Sequence, residues 1–189
     1  MVLVGVAGWS YADWNGRVYP SRKPKGFHPL AYLARYLDLM ELNSSFYALP
    51  RPDHAANWVR LIEPHPAFRF TAKLHGSFTH GPPEGIEPDL ARAFSLGLAP
   101  LREAGRLLAL LVQFPVFFQR DDSAWARLRK IRDLFPDDRL VLELRHRTWF
   151  EEDALERLGQ LDYGLAHIDL PPARDLSLIH ISEPTRPTT

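Results

Sequence analysis

The chain has 189 residues, of which 46% are hydrophobic and 24% charged. That is enough to bury a core, and too apolar for disorder throughout. Basic and acidic side chains balance at 23 each, so net charge does not support a nucleic-acid partner. No cysteine is present, which excludes disulfides, thiol nucleophiles and thiolate metal sites and favours a cytoplasmic setting.

Met1–Gly8 is apolar but short, with no basic segment before it. It reads as a buried strand rather than a signal peptide. No stretch approaches the roughly 18 apolar residues of a membrane span, so no membrane partner is expected. Apolar runs at Val2–Ala7, Leu39–Leu42, Phe68–Ala72, Leu107–Val112, Leu140–Leu144 and Gly164–Ile168 predict strands. Their near-continuous apolarity suits parallel strands covered by helices. Helical spacing falls between them, at Leu30–Asp38, Asp53–Leu61, Pro88–Gly97, Asp122–Leu134 and Glu151–Leu161, with a short helix near Pro100–Gly105. Asp121 or Asp122 is a candidate cap. Most of the 17 prolines punctuate the loops between strands.

Strand alternating with helix is the α/β class. The unit spacing matches a (β/α)8 TIM-like barrel, which needs roughly 250 residues. About six units fit here, so residues 1–175 read as a C-terminally truncated, partial barrel domain. An open doubly wound sheet is the rival. No Gly-x-Gly-x-x-Gly follows the first strand, and no phosphate-binding Gly-Lys-Ser/Thr loop occurs.

Polar residues end the apolar runs. Glu41 and Asn43 share a strand face, as do Glu143 and Arg145, because alternate residues point the same way. With these faces inward, Glu41, Asn43, Lys73, Gln113, Glu143 and Arg145 converge at the C-terminal mouth, where barrel sites are built. Desolvated carboxylates need partners, and Lys73 and Arg145 are available. Glu41 and Glu143 suit an acid–base pair. Alternatively, they hold Lys73 and Arg145 for an anionic ligand, or the set is a buried polar plug. Catalytic candidates are therefore Glu41, Lys73, Glu143 and Arg145. Aromatics suited to a ring ligand are Trp9, Tyr11, Trp14, Tyr19, Phe46, Tyr47 and Trp149. Trp9, Tyr11, Asn43, Tyr47, His80, Gln113 and Trp149 complete the substrate-binding set. His75, His80, His146 and His167 lack close metal-ligand spacing, so neither a metal nor a cofactor is expected. Ser44-Ser45 does not form a nucleophile elbow.

Gly8-Trp9-Ser10-Tyr11 with Asp13-Trp14 and Tyr19-Pro20 opens a longer pattern. It continues through Glu41-Leu-Asn43-Ser44-Ser45-Phe46-Tyr47, Trp58, Phe68-Arg-Phe-Thr-Ala-Lys73, Thr79-His80, Leu111-Val-Gln113-Phe-Pro115, Glu143-Leu-Arg145-His146 and Trp149-Phe150. Across about residues 3–169 this resembles the bacterial and archaeal YecE-like family, the domain of unknown function seventy-two. The resemblance implies a barrel and supports the strand-end assignment, but implies no reaction. Val116 stands where the family usually has a second proline, and Arg147-Thr148 where it has proline-serine. The family's later strands have no counterpart.

Leu176–Arg186 matches a translated sequencing adapter at all eleven residues. Residues 176–189 are thus expected to be foreign, and His180 and Glu183 enter no site. Two functions stay open, with a third reading beside them. One is an enzyme of unknown reaction on a small polar or anionic ligand at the mouth. Another is a non-catalytic binding or nucleic-acid-associated protein, for which Arg17, Arg22, Lys23 and Lys25 supply only a small basic loop. The third is a fragment with no function of its own, its two sheet edges unpartnered.

Overall fold

The structure, a computed structural model, describes residues 2–82 and 86–169. The segment at 176–189 lies outside the described residues. Six strands, β1 (Gly5–Ala7), β2 (Leu39–Leu42), β3 (Arg69–Lys73), β4 (Leu107–Gln113), β5 (Leu140–Glu143) and β6 (Tyr163–Leu165), form one sheet. Every neighbouring pair is parallel and the order is β1-β2-β3-β4-β5-β6. A doubly wound sheet reverses its strand order, so this succession rules that architecture out. The described residues form a (β/α)6 array of the TIM-barrel kind.

The helices are α1 (Pro29–Leu33), α2 (Ser44–Tyr47), α3 (Pro52–Leu61), α4 (Gly76–Thr79), α5 (Pro88–Glu103), α6 (Asp122–Leu134) and α7 (Glu152–Gln160). Proline opens α1, α3 and α5, where its fixed φ suits the first turn and its missing N–H costs nothing. Asp121 caps α6, its carboxylate accepting from the Ala124 N–H at 2.7 Å.

Several elements depart from expectation. The opening run is not a buried strand: β1 covers only Gly5–Ala7 at the edge of the sheet, with Val2 86% and Val4 59% exposed. Strand β6 ends at Leu165, short of the expected Ile168. Helix α1 is short because the chain must turn to enter β2: the Asp38 and Leu39 N–H groups both reach the Val4 carbonyl. Helix α5 runs unbroken through Pro100. The carbonyl this proline leaves without a donor belongs to Leu96, on the 60% exposed side of the helix, where water can serve it. Gly97 of α5 abuts the Pro50 carbonyl so closely that a Cβ would collide with it. The short helices α2 and α4 follow β2 and β3 directly and set the loops of the mouth.

The sheet's two faces differ. Met40, Leu42, Phe70, Ala72, Leu110, Val112, Leu140 and Leu142 are each at most 2% exposed. They join Phe94, Leu98, Leu128, Ile131 and Leu158 of the helices in one core. The alternate residues, Glu41, Thr71, Lys73, Leu111, Gln113 and Val141, are half-buried and form the opposite, inner face. Register ties them together: Glu41 is opposite Thr71, Lys73 opposite Leu111, and Gln113 opposite the buried Glu143.

Candidate functional site at the strand ends

At the C-terminal ends of β2 to β5, the inner face turns from apolar to charged. Glu143 is the last residue of β5 and is 9% exposed. Its Oε1 accepts from Gln113 Nε2 at 2.5 Å, Arg145 Nη2 at 2.6 Å and Arg145 Nε at 3.0 Å. Arg145 lies beyond the strand, so its guanidinium folds back onto Glu143. Three donors on one oxygen fix the position of the carboxylate.

Glu41 is the contrasting acid. Among the described residues its carboxylate has neither a hydrogen bond nor an ion pair. Burial pushes its pKa above 4.5, opposed by the Lys73 charge and reinforced by that of Glu143. Lys73 ends β3 on the same face. Burial and Arg145 depress its pKa, while Glu143 and Glu41 act against that depression. These mutual influences bring Glu41, Lys73, Glu143 and Arg145 within electrostatic reach of one another.

The Lys73 ammonium makes no hydrogen bond or ion pair among the described residues. It stands 4.4 Å from the centre of the Phe46 ring, a cation–π distance. Helix α2 supplies that ring. Ser45 of the same helix is buried, and its hydroxyl lies 2.6 Å from both the Leu42 and the Lys73 carbonyl oxygens. Those contacts tie α2 to the ends of β2 and β3. The other edge of Phe46 meets His80 at 5.0 Å, and His80 Nδ1 pairs with Thr79 Oγ1 at 2.8 Å. Burial, with Lys73, Arg127 and Arg145 nearby, lowers the His80 pKa.

The remaining candidates separate. Asn43 is half-buried beside α2, with no side-chain cap bond. Tyr47 is 80% exposed and packs edge-on to Phe46. Trp9 is half-buried against Trp58 at 5.6 Å. The Tyr11 hydroxyl donates to the Ala7 carbonyl, and its ring packs on Trp14. Trp149 is the correction: it is 0% exposed. Its indole donates to the Phe118 carbonyl at 2.8 Å, and its ring stacks on Phe118. It therefore anchors the loop after β5 and has no surface for a ligand. Tyr19 is likewise core, its hydroxyl donating to the Trp9 carbonyl.

His75 and His146 serve the backbone. Their Nδ1 atoms accept from the N–H groups of Ser77 and Thr148, as His28 accepts from Leu30. Among the described residues no three His, Asp or Glu side chains gather to hold a metal. Two cavities lie off the cluster. One, of about 320 Å³, sits beside Phe118 and Arg127, and another, of about 550 Å³, beside Arg139 and Gly164.

Phe46 as the partner of Lys73, and Ser45 as the tie between strands, are features of the cluster that the sequence reading missed. The polar pair Ser44-Ser45 straight after β2 was the available signal.

This fold and cluster define a β/α protein of the TIM-barrel class with a charged strand-end mouth. The chain belongs to the family described as "Protein of unknown function DUF72", whose profile matches residues 3–189. That match runs across the segment set apart as foreign. The chain is 28% identical to the UPF0759 protein YunF of Bacillus subtilis over 162 residues, 83% of this chain and 55% of YunF. It is 26% identical to YecE of Escherichia coli K12 over 163 residues, 83% of this chain and 54% of YecE. It thus spans about half the length of these curated relatives. A DUF72 family protein of Thermotoga maritima superposes with a TM-score of 0.72 at 32% identity, covering 87% of this chain and 64% of that one. One from Enterococcus faecalis gives 0.72 at 27% identity, over 87% and 60%. No helix among the described residues is long and apolar enough to cross a membrane.

Proposed function

We propose that the strand-end mouth binds a small anionic ligand and performs acid–base chemistry on it. The observation that carries this is the contrast between two carboxylates on one face. Glu143 is engaged by Arg145 and Gln113, while Glu41 makes no hydrogen bond or ion pair among the described residues and burial pushes its pKa up. A carboxyl with no partner and a raised pKa suits a general acid. Glu41 is the proton donor, and Lys73 and Arg145 attract the ligand's charge. Asn43, His80, Gln113 and Tyr47 border the space the ligand would fill.

A thermal-shift screen with inorganic phosphate and small carboxylates tests the binding. A ligand at about 100 times its Kd stabilises the folded chain by about 2.7 kcal/mol. A rise in Tm with the wild type that disappears in both Lys73→Met and Arg145→Met is the expected result. No rise with any anion, or a rise that survives both substitutions, rejects the reading. We also hold residues 176–189 to be a translated adapter, on the eleven-residue identity at Leu176–Arg186. Resequencing the source DNA past codon 175 checks it.

A further inference from the structure

We propose that Lys73 is a nucleophile that forms an imine with a small aldehyde or ketone bound at the mouth. The proposal deepens the acid–base reading of that mouth and rests on it. A lysine buried only for structure beside two carboxylates would be expected to pair with one of them. Here Glu143 is occupied by Arg145 and Gln113, and Glu41 makes no ion pair with Lys73. The ammonium faces the Phe46 ring instead, at 4.4 Å. The ring face attracts the ammonium but leaves its opposite side open, and a lysine partly withdrawn from water is one form of amine nucleophile. The Lys73 backbone is held by β3 pairing and by Ser45 at its carbonyl, so the amine starts from a fixed strand end. The groups around it are Glu41, Glu143, Arg145 and His80. Burial favours its neutral form, as does Arg145, while Glu143 and Glu41 favour the ammonium.

The step balances without another reactant. The Lys73 ammonium first gives its proton to the Glu41 carboxylate; the freed lone pair attacks the carbonyl carbon, a C–N bond forms as the C=O π bond opens, and the oxygen takes a proton from nitrogen to give a carbinolamine. Protonated Glu41 then donates to the hydroxyl, the C–O bond breaks and water leaves. A protonated imine remains beside the Glu41 and Glu143 carboxylates, whose charges stabilise it. The substrate class is a small carbonyl compound bearing a negative group for Arg145.

The chain has four lysines, Lys23, Lys25, Lys73 and Lys130, so reductive trapping can be read site by site. The folded full chain is treated with glyoxylate or, separately, glycolaldehyde, with cyanoborohydride present, and each lysine's adduct is timed by peptide mass mapping. At pH 7, Lys73 is expected to react severalfold faster than exposed Lys130, because its lowered pKa leaves more of it as free amine. Glu41→Gln should slow Lys73 about tenfold or more and leave Lys130 unchanged. The excess should vanish in urea. A Lys73 rate equal to that of Lys130, or an excess that persists in urea, overturns the proposal. Failure here with anion-dependent Tm shifts retained leaves the anion-binding mouth standing. Equal selectivity for charged glyoxylate and neutral glycolaldehyde supports the imine and removes the anion-binding reading.

Discussion

The two faces of the sheet are built from alternate residues of the same strands, yet they obey different rules. On the outer face Phe70, Leu110 and Leu142 are 0% exposed and packed under helices. On the inner face Glu41, Lys73 and Gln113 sit half-buried among polar neighbours. The outer face burial is the main source of stability, because removing apolar surface from water is favourable and non-directional. The inner face stabilises little. It holds ionisable groups whose environments differ over a few ångströms, and that is where chemistry becomes possible.

The contrast is broken most sharply on the outer face. Phe70→Ala should cost about 3–5 kcal/mol in a urea titration, because it removes a fully enclosed ring and leaves a cavity. A cost below that of an inner-face substitution would refute the division. On the inner face the two acids should respond with opposite signs. Glu143→Gln should destabilise by about 1–3 kcal/mol, because Arg145 loses its charged acceptor. Glu41→Gln should raise Tm by about 1–3 °C at pH 7. The sign follows from the raised pKa of Glu41, which exceeds its ordinary 4.5 in the folded chain. The folded chain then binds more protons than the unfolded one, so this group's contribution is full below pH 4.5 and is lost as pH rises through the folded value. The gain from Glu41→Gln should therefore vanish in acid. Two acids responding alike would remove their division of roles.

A comparable effect is expected at the histidine caps of α1 and α4. Burial lowers the pKa values of His28 and His75 below 6.5, and each accepts a backbone N–H through Nδ1. The unfolded chain binds protons more readily, so this stability is present above pH 6.5 and is lost as pH falls through the folded values. Joining His28→Ala and His75→Ala should cost about 1 kcal/mol at pH 7.5 and flatten the fall between pH 6.5 and 5. Denaturation midpoints across that range measure it. His80, also lowered, retains its share of the slope.

Much of this was legible along the chain. The run Leu39–Leu42 is β2 residue for residue, and Asp122–Leu134 is α6. Apolar runs and helical spacing are local properties, so they survive folding in place. That Glu143 and Arg145 lie close was legible, but not which of Lys73 and Arg145 pairs with Glu143, since Arg145 lies beyond the strand where alternate residues share a face. Pro100 misled, since a proline's effect depends on whether its freed carbonyl faces water. Trp149 misled because a strand-end aromatic can face the mouth or turn into the core, and only its partners Phe118 and Trp125 decide that.

The sequence by itself determined the class of fold and that Lys73, Gln113 and Glu143 end their strands, because periodicity and burial are written residue by residue. Tertiary structure alone decided the strand order, and with it the exclusion of a doubly wound sheet. It also decided that Arg145 and Gln113 claim Glu143, leaving Lys73 to the Phe46 ring and Glu41 without a partner. Competition among charges for partners depends on distances between strands, and no reading along one strand contains those distances.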